Sequence, residues 1–273
     1  MNIKGLITSF KRKTPAQVIE FLATYVYRIL SQKSVIIDNV PVKYIIRKKR
    51  KSSKLIVVLS ACTAPGVRSR YNYMRTLKSC NENQLFIVDE YGEDGRGAYY
   101  LGQNCGNEIE KACTTLVQQI AEKLKADTIF FCGSSKGGWA ALNLMTNFAG
   151  GGYSCIVGAP QYRLGTYLMN HGWPTTNQYI LQDATEEKIR YLDGYLGNKL
   201  RTCDTTDKRK IYLHYSDSEF SYDEEIRFLL QDISTLGYGL ITEIQHYDDH
   251  WKVAQQFPAF LIQSLKAEKC SFR

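Results

Sequence analysis

Ser135 is the residue of this chain best placed to do chemistry. It lies in Phe131-Cys132-Gly133-Ser134-Ser135-Lys136-Gly137-Gly138-Trp139-Ala140-Ala141-Leu142, where a Gly-x-Ser-x-Gly spacing falls between an apolar run and a small-residue run. A serine that attacks a carbonyl must stand clear of the backbone on a sharp strand-to-helix turn, and that turn leaves no room for side chains two positions either side. Gly133 and Gly137 supply the room. The same turn aims the first free amides of a helix at the reacting centre, so the N–H of Lys136 is placed to donate to an oxyanion beside Ser135.

A serine nucleophile needs a base, and the base needs an acid to hold its tautomer. On a strand, elbow and helix of this kind the chain order is serine, acid, histidine. The chain has four histidines. His171 falls in an irregular segment, His214 inside a strand pattern and His246 at a strand end. His250, in the polar loop Tyr247-Asp248-Asp249-His250 between the last strand and last helix patterns, is the base by position. The acid is expected just past Lys210-Ile211-Tyr212-Leu213-His214-Tyr215. Asp217 is the first carboxylate there, with Glu219 and Asp223 as alternatives. A second oxyanion donor is expected after the strand ending at Ser60, which points to the amide of Ala61 or Cys62. Cys62 has no nearby histidine in sequence and is weaker than Ser135 as a nucleophile. No His-x-x-x-His, cysteine cluster or nucleotide fingerprint is present, so neither a metal nor a bound cofactor is expected.

The elements that must position these residues alternate. Strand patterns fall at 34–39, 42–47, 55–60, 85–89, 127–132, 153–158, 210–215 and 240–246. Leu55-Ile56-Val57-Val58-Leu59-Ser60 is continuously apolar, as a central parallel strand is. Helical periodicity predicts helices at 15–31, 71–79, 107–124 with Asn107 as cap, 138–148, 222–236 and from Trp251 onward past Pro258. The βαβ alternation predicts a mostly parallel α/β sheet with helices on both faces. Residues 1–33 form an N-terminal helical segment and 34–273 a single domain. The stretch 161–205, rich in aromatics among polar residues, reads as a helical cap inserted over the site or as a helical excursion packing its aromatics inward.

With 273 residues, one large domain suffices. The net charge of +8 favours acidic partners and is densest at Arg47-Lys48-Lys49-Arg50-Lys51. That run reads first as a solvated turn, and without interleaved aromatics or a nucleic-acid motif it argues against nucleic-acid binding. Eight scattered cysteines without a Cys-x-x-Cys pair fit reduced thiols in the cytoplasm. Lys4, Lys11, Arg12 and Lys13 interrupt the amino-terminal apolar residues, so neither signal peptide nor membrane span is expected, although the 15–31 stripe could lie on a bilayer surface.

Several blocks in this order carry a family resemblance: Leu59-Ser60-Ala61, Tyr71-Asn72-Tyr73, Glu93-Asp94 with Arg96-Gly97-Ala98-Tyr99-Tyr100, Gly133-Ser134-Ser135-Lys136-Gly137-Gly138, Ala159-Pro160-Gln161, Arg201-Thr202-Cys203-Asp204 and the Asp-His of the last loop. From about Leu55 to the carboxyl end the chain resembles bacterial capsular polysaccharide O-acetyltransferases of the α/β-hydrolase type. The resemblance implies an acetyl-CoA donor, a surface-glycan hydroxyl as acceptor, and catalytic roles for Ser135, Asp217 and His250. Tyr99, Tyr100, Gln161 and Trp173 are then candidates for substrate binding, with the tyrosine rings stacking on sugars. Contact with the inner face of the membrane or with capsule assembly machinery is a further expectation. The segment before residue 34 is longer than in the family, and Trp173 to Asp183 has no counterpart there. Two other readings stay open: an esterase or glycan deacetylase with the same triad, and a non-catalytic glycan-binding or assembly protein.

Overall fold

A computed structural model describes residues 26–203 and 209–273. Eight strands form one sheet: β1 (Lys33–Ile37), β2 (Val40–Arg47), β3 (Lys54–Leu59), β4 (Asn83–Val88), β5 (Thr128–Ser134), β6 (Tyr153–Gly158), β7 (Lys210–Ser216) and β8 (Gly239–Gln245). Their order is β1-β2-β4-β3-β5-β6-β7-β8. β1 pairs antiparallel with β2, and β2 antiparallel with β4; every later pairing is parallel. The central strand β3 is continuously apolar and buried from Leu55 to Leu59 because both its faces are covered, whereas the edge strand β8 is largely exposed. Along β3, Leu55, Val57 and Leu59 enter one core while Ile56 and Val58 enter the other, and in β5 Phe131 opposes Phe130 and Cys132.

The first face is covered by α1 (Glu108–Leu124) and α2 (Lys136–Met145). α1 buries Ile109, Ala112, Cys113, Leu116, Val117 and Ile120, the stripe its periodicity predicts. Asn107 precedes this helix without a side-chain capping bond; its carbonyl instead accepts the Lys111 amide. α2 is buried at every residue, which its Gly, Ala and Leu content permits so close to the sheet. The second face is covered by α7 (Val253–Ala267), which carries Pro258 within it and packs Phe257, Phe260, Leu261 and Leu265 onto β5, β6 and β7. Between β7 and β8 a π-turn, Tyr222–Ile226, leads into α6 (Arg227–Thr235).

The stretch expected to be a cap forms three helices, α3 (Leu164–His171), α4 (Pro174–Leu181) and α5 (Glu186–Thr202), and its last residues lie outside the described residues. Both readings of it apply, to different parts. α3 and the start of α4 face the Ser135 site, whereas α5 packs inward, with Tyr195 stacked on Trp139 of α2 at 6.0 Å.

Residues 71–79 do not form the expected helix. Residues 74–79 run as turns, with the Leu77 amide donating to the Tyr73 carbonyl and that of Lys78 to the Arg75 carbonyl, while the Gln84 side chain donates to the carbonyls of Leu77 and Cys80. Of the amino-terminal helix expected at 15–31, residues 26–31 are helical and the rest lies outside the described residues. The basic run is a turn between β2 and β3, with the Arg47 guanidinium on the Phe86 ring at 5.2 Å. Among the described residues no helix is long and apolar enough to cross a membrane.

Candidate active site

β5 ends at Ser134 and α2 begins at Lys136, so Ser135 occupies the turn between them with φ 51° and ψ −126°. That conformation is unfavourable for a residue with a Cβ and persists where surrounding structure enforces it. The enforcement is visible. The Ser135 amide donates to the Gly158 carbonyl of β6 at 2.8 Å, and its carbonyl accepts from Gly138 and Trp139 to begin α2. A Cβ on Gly133 would overlap the Gly137 carbonyl, and one on Gly137 would lie 2.5 Å from the Leu59 carbonyl oxygen of β3. The amides of Lys136 and Gly137 precede the first intrahelical bond and remain at the helix N-terminus.

The turn lifts the Ser135 hydroxyl to His250, 2.9 Å from Nε2. Nδ1 of the same ring donates to Oε2 of Glu219 at 2.9 Å, and the Glu219 carboxylate is wholly buried. With the carboxylate accepting at Nδ1, the Nε2 lone pair is the one that faces the hydroxyl. Of the three carboxylates expected past β7, Glu219 makes this contact. Asp217 turns outward and takes Nδ1 of His246 at 2.7 Å, an exposed pair, while Asp223 pairs with Arg227 along its own helical turn. The cause lies in the loop: the Ser216 hydroxyl donates to the Tyr247 carbonyl and accepts the Ser218 amide, and the Asp217 amide bonds Gln245. β7 is thereby clamped to β8 through residue 217, and the chain first turns inward at 219.

Of the two amides expected to complete an oxyanion pocket, that of Ala61 donates to Asn72 Oδ1 at 3.0 Å. The Ala61 amide is therefore engaged within the fold, which leaves the Cys62 amide as the other candidate. Arg96 holds the peptide that follows: its Nε donates to the Thr63 carbonyl at 2.8 Å, and Nη2 reaches both that carbonyl and Cys62 Sγ. Arg96 is buried, and the Trp173 indole lies over its guanidinium at 4.1 Å. Trp173 itself is partly exposed and lines the cavity.

Below the elbow, Lys136 Nζ bonds Asp89 Oδ2 at 2.8 Å, both side chains being buried. Asp89 also accepts the amides of Ala98 and Tyr100 at 2.8 and 3.1 Å, so the pair ties the glycine-rich loop to the nucleophile turn. A carboxylate at the end of β4 was the signal available in sequence, since a lysine forced into α2 by the elbow requires one.

The two tyrosines expected to stack on sugars divide. Tyr100 is fully buried; its hydroxyl accepts the Ser60 amide at 2.6 Å and donates to the Ile87 carbonyl at 2.9 Å, so it is a strut between strands rather than a platform. Tyr99 lines the cavity but is edge-on to Trp139 and Tyr167 and offers little surface. Gln161 is buried, and its Nε2 donates to Ser135 Oγ at 3.2 Å.

The relay opens into a cavity of about 440 Å³ between the Ala61–Ala64 loop, α3, the start of α4 and the start of α7. Exposed Phe220 and Trp251 stand at its rim with His171, whose Nε2 meets Glu224 at 2.8 Å. Sequence reasoning missed these rim residues, because they come from three separate segments. Among the described residues no group of three His, Cys, Asp or Glu side chains is placed to hold a metal ion.

The strand order, the strained serine at the end of β5 and the histidine after β8 define the α/β-hydrolase fold, and the comparisons with solved structures agree. The capsule O-acetyltransferase of Neisseria meningitidis serogroup A superposes with TM-score 0.70 at 22% identity, over 87% of this chain and 98% of that one. A variant of that enzyme in complex with CoA gives 0.71 at 20%. A chain of the Glycosylation Associate Protein (Gap123) complex from Streptococcus agalactiae gives 0.71 at 18%, over 87% of this chain and 47% of that one, and an S-formylglutathione hydrolase from Agrobacterium tumefaciens 0.58 at 15%, over 86% and 94%. No protein-family model and no curated protein matches the sequence. At these identities the likeness establishes the fold.

Proposed function

We propose that this chain is a serine O-acetyltransferase that moves an acetyl group from acetyl-CoA, through acetyl-Ser135, to a hydroxyl of a bacterial surface polysaccharide. The observation that carries the reading is the continuous relay Glu219, His250, Ser135 opening into a roofed cavity. The CoA complex of the structurally similar capsule enzyme supports the donor.

In the first step His250 Nε2 takes the Ser135 proton as Oγ attacks the thioester carbon. The tetrahedral oxyanion is held by the amides of Lys136 and Cys62, and the C–S bond breaks as the thiolate leaves with the proton from His250. In the second step the glycan hydroxyl gives its proton to His250 and attacks the acetyl ester. Ser135 departs and recovers that proton. The Glu219 carboxylate accepts from Nδ1 and holds the imidazolium that forms twice per cycle. Trp173, Phe220 and Trp251 offer ring faces to an acceptor at the rim. An anionic capsular glycan suits the net positive charge, and we place the reaction in the cytoplasm, beside the inner membrane face or the assembly machinery where such a glycan is built.

The likeness to an S-formylglutathione hydrolase favours one alternative, hydrolysis of an acetyl ester by the same relay. Intact-protein mass spectrometry after brief exposure to acetyl-CoA without acceptor separates the readings. An acetyl adduct present in wild type and absent from Ser135→Ala supports transfer; thiol release without an adduct supports a hydrolase; neither signal overturns catalysis with this donor.

A further inference from the structure

We propose that Arg70, with Arg68 beside it, forms a subsite for the phosphate groups of the acyl donor at the mouth of the Ser135 cavity. This rests on the CoA-thioester reading above and adds the residues that recognise the part of the donor remote from the reacting carbon.

The loop from Ala61 to Asn72 is one wall of the cavity and also carries the Cys62 amide. At its centre Ser69 is buried, its amide donating to the Gly95 carbonyl at 2.8 Å and its hydroxyl to Ser60 Oγ at 3.2 Å. With Ser69 pinned inward, the flanking Arg68 and Arg70 are turned to solvent, and both are exposed. Arg70 lines the cavity, and the Arg68 guanidinium lies alongside Gly95. Among the described residues neither arginine has an ion-pair or hydrogen-bond partner, unlike Arg96 and Arg209, whose buried guanidinium groups donate to backbone carbonyls.

The lining of the cavity carries no carboxylate, although Glu219 and Glu224 stand behind it on His250 and His171. Its cationic and imidazole groups are Arg70, Lys136, His171 and His250, and no aspartate or glutamate lines it. Lys136 is neutralised beneath the elbow by Asp89, which leaves Arg70 as the arginine or lysine of the lining whose charge is uncompensated. On the adjoining loop Asp94 is occupied by the Thr175 hydroxyl and the Arg96 amide, and Glu93 is exposed. An unpaired guanidinium at the mouth of a cavity whose lining has no carboxylate selects an anion, and its planar fork matches phosphate oxygens.

The position favours the donor over a phosphorylated acceptor. The thioester carbonyl must lie against the Cys62 amide, and the loop from Cys62 runs directly to Arg68 and Arg70. The acceptor hydroxyl must instead approach His250 Nε2. The cavity is also far larger than an acetyl group requires, leaving space for a connecting arm.

Titration calorimetry with CoA and with pantetheine, which lacks the phosphates, tests this without depending on turnover. Wild type is expected to bind CoA at least tenfold more tightly than pantetheine, the gap narrowing as salt is raised. Arg70→Ala and Arg68→Ala should each weaken CoA about tenfold and pantetheine by less than about twofold, with Arg70→Lys intermediate. Equal binding of the two ligands by wild type, or equal losses in the variants, overturns the subsite while leaving acyl transfer standing. Binding of neither ligand overturns the CoA reading itself. Affinity lost for a phosphorylated oligosaccharide but not for CoA assigns the arginines to the acceptor and overturns the donor assignment.

Discussion

Glu219 and His250 form the inner half of the relay: Oε2 of the carboxylate stands 2.9 Å from Nδ1 of the ring, and the carboxylate has no exposed surface. Asp217, earlier in the same loop, serves the exposed His246. Glu219→Gln removes the charge that fixes the tautomer and should lower kcat about 10³- to 10⁴-fold on an acetyl ester, whereas Asp217→Asn should stay within about twofold. Equal losses in steady-state assays of the two variants would sink the assignment of Glu219.

The Lys136–Asp89 pair is buried on both sides. Breaking it by Lys136→Met leaves an uncompensated carboxylate and should cost about 3–5 kcal/mol of unfolding free energy. Asp89→Asn combined with Lys136→Met should recover most of that, because an asparagine oxygen still accepts the amides of Ala98 and Tyr100. Denaturant unfolding of the single and double variants checks it; a double variant no more stable than the single would show that the charge is not what the site balances.

Arg96 bonds the Thr63 carbonyl at 2.8 Å and thereby directs the peptide after Cys62. Arg96→Met should lower kcat about tenfold to a hundredfold while KM moves less than about twofold, since an oxyanion donor acts on the transition state. A lowered melting temperature with unchanged kcat would make Arg96 structural only.

Glu225 holds the hinge where the chain leaves β6 for α3, accepting the amides of Tyr162 and Arg163 at 2.6 Å each. Burial pushes its carboxyl up from 4.5 to about 7, against the pull of those two amides. Between these values the folded protein binds more protons than the unfolded chain, so this group's contribution to stability declines as pH rises from about 4.5 to 7. Glu225→Gln should abolish that decline and gain about 2–3 kcal/mol over wild type at pH 8 relative to pH 5. Parallel melting curves across this range would contradict it.

Ser135 and His250 were legible because each depends on local chemistry. The Gly-x-Ser-x-Gly spacing is a steric requirement met within one turn, and a histidine in the loop after the last strand has few competitors in a chain with four. Asp217 was preferred over Glu219 because linear order puts the first carboxylate nearest the strand end. Which of them faces inward depends on Ser216 bonding Tyr247 and residue 217 bonding Gln245, contacts between segments about thirty residues apart. Tyr100 misled for the same reason, since its partners Ser60 and Ile87 lie on two other strands.

What the sequence by itself determined was the succession of the eight strands and most of the helices, the two-faced burial of the central strand β3, and the placing of Ser135 and His250. Those features follow from apolar periodicity and from backbone sterics within a few residues. The tertiary structure alone decided that Glu219 rather than Asp217 meets His250, the engagement of Ala61 by Asn72, the Lys136–Asp89 pair and a cavity lining without carboxylates. Each of these depends on which polar groups distant segments bring within hydrogen-bonding distance, and the cost of burying such a group unpaired is set by the assembled fold rather than by any one segment.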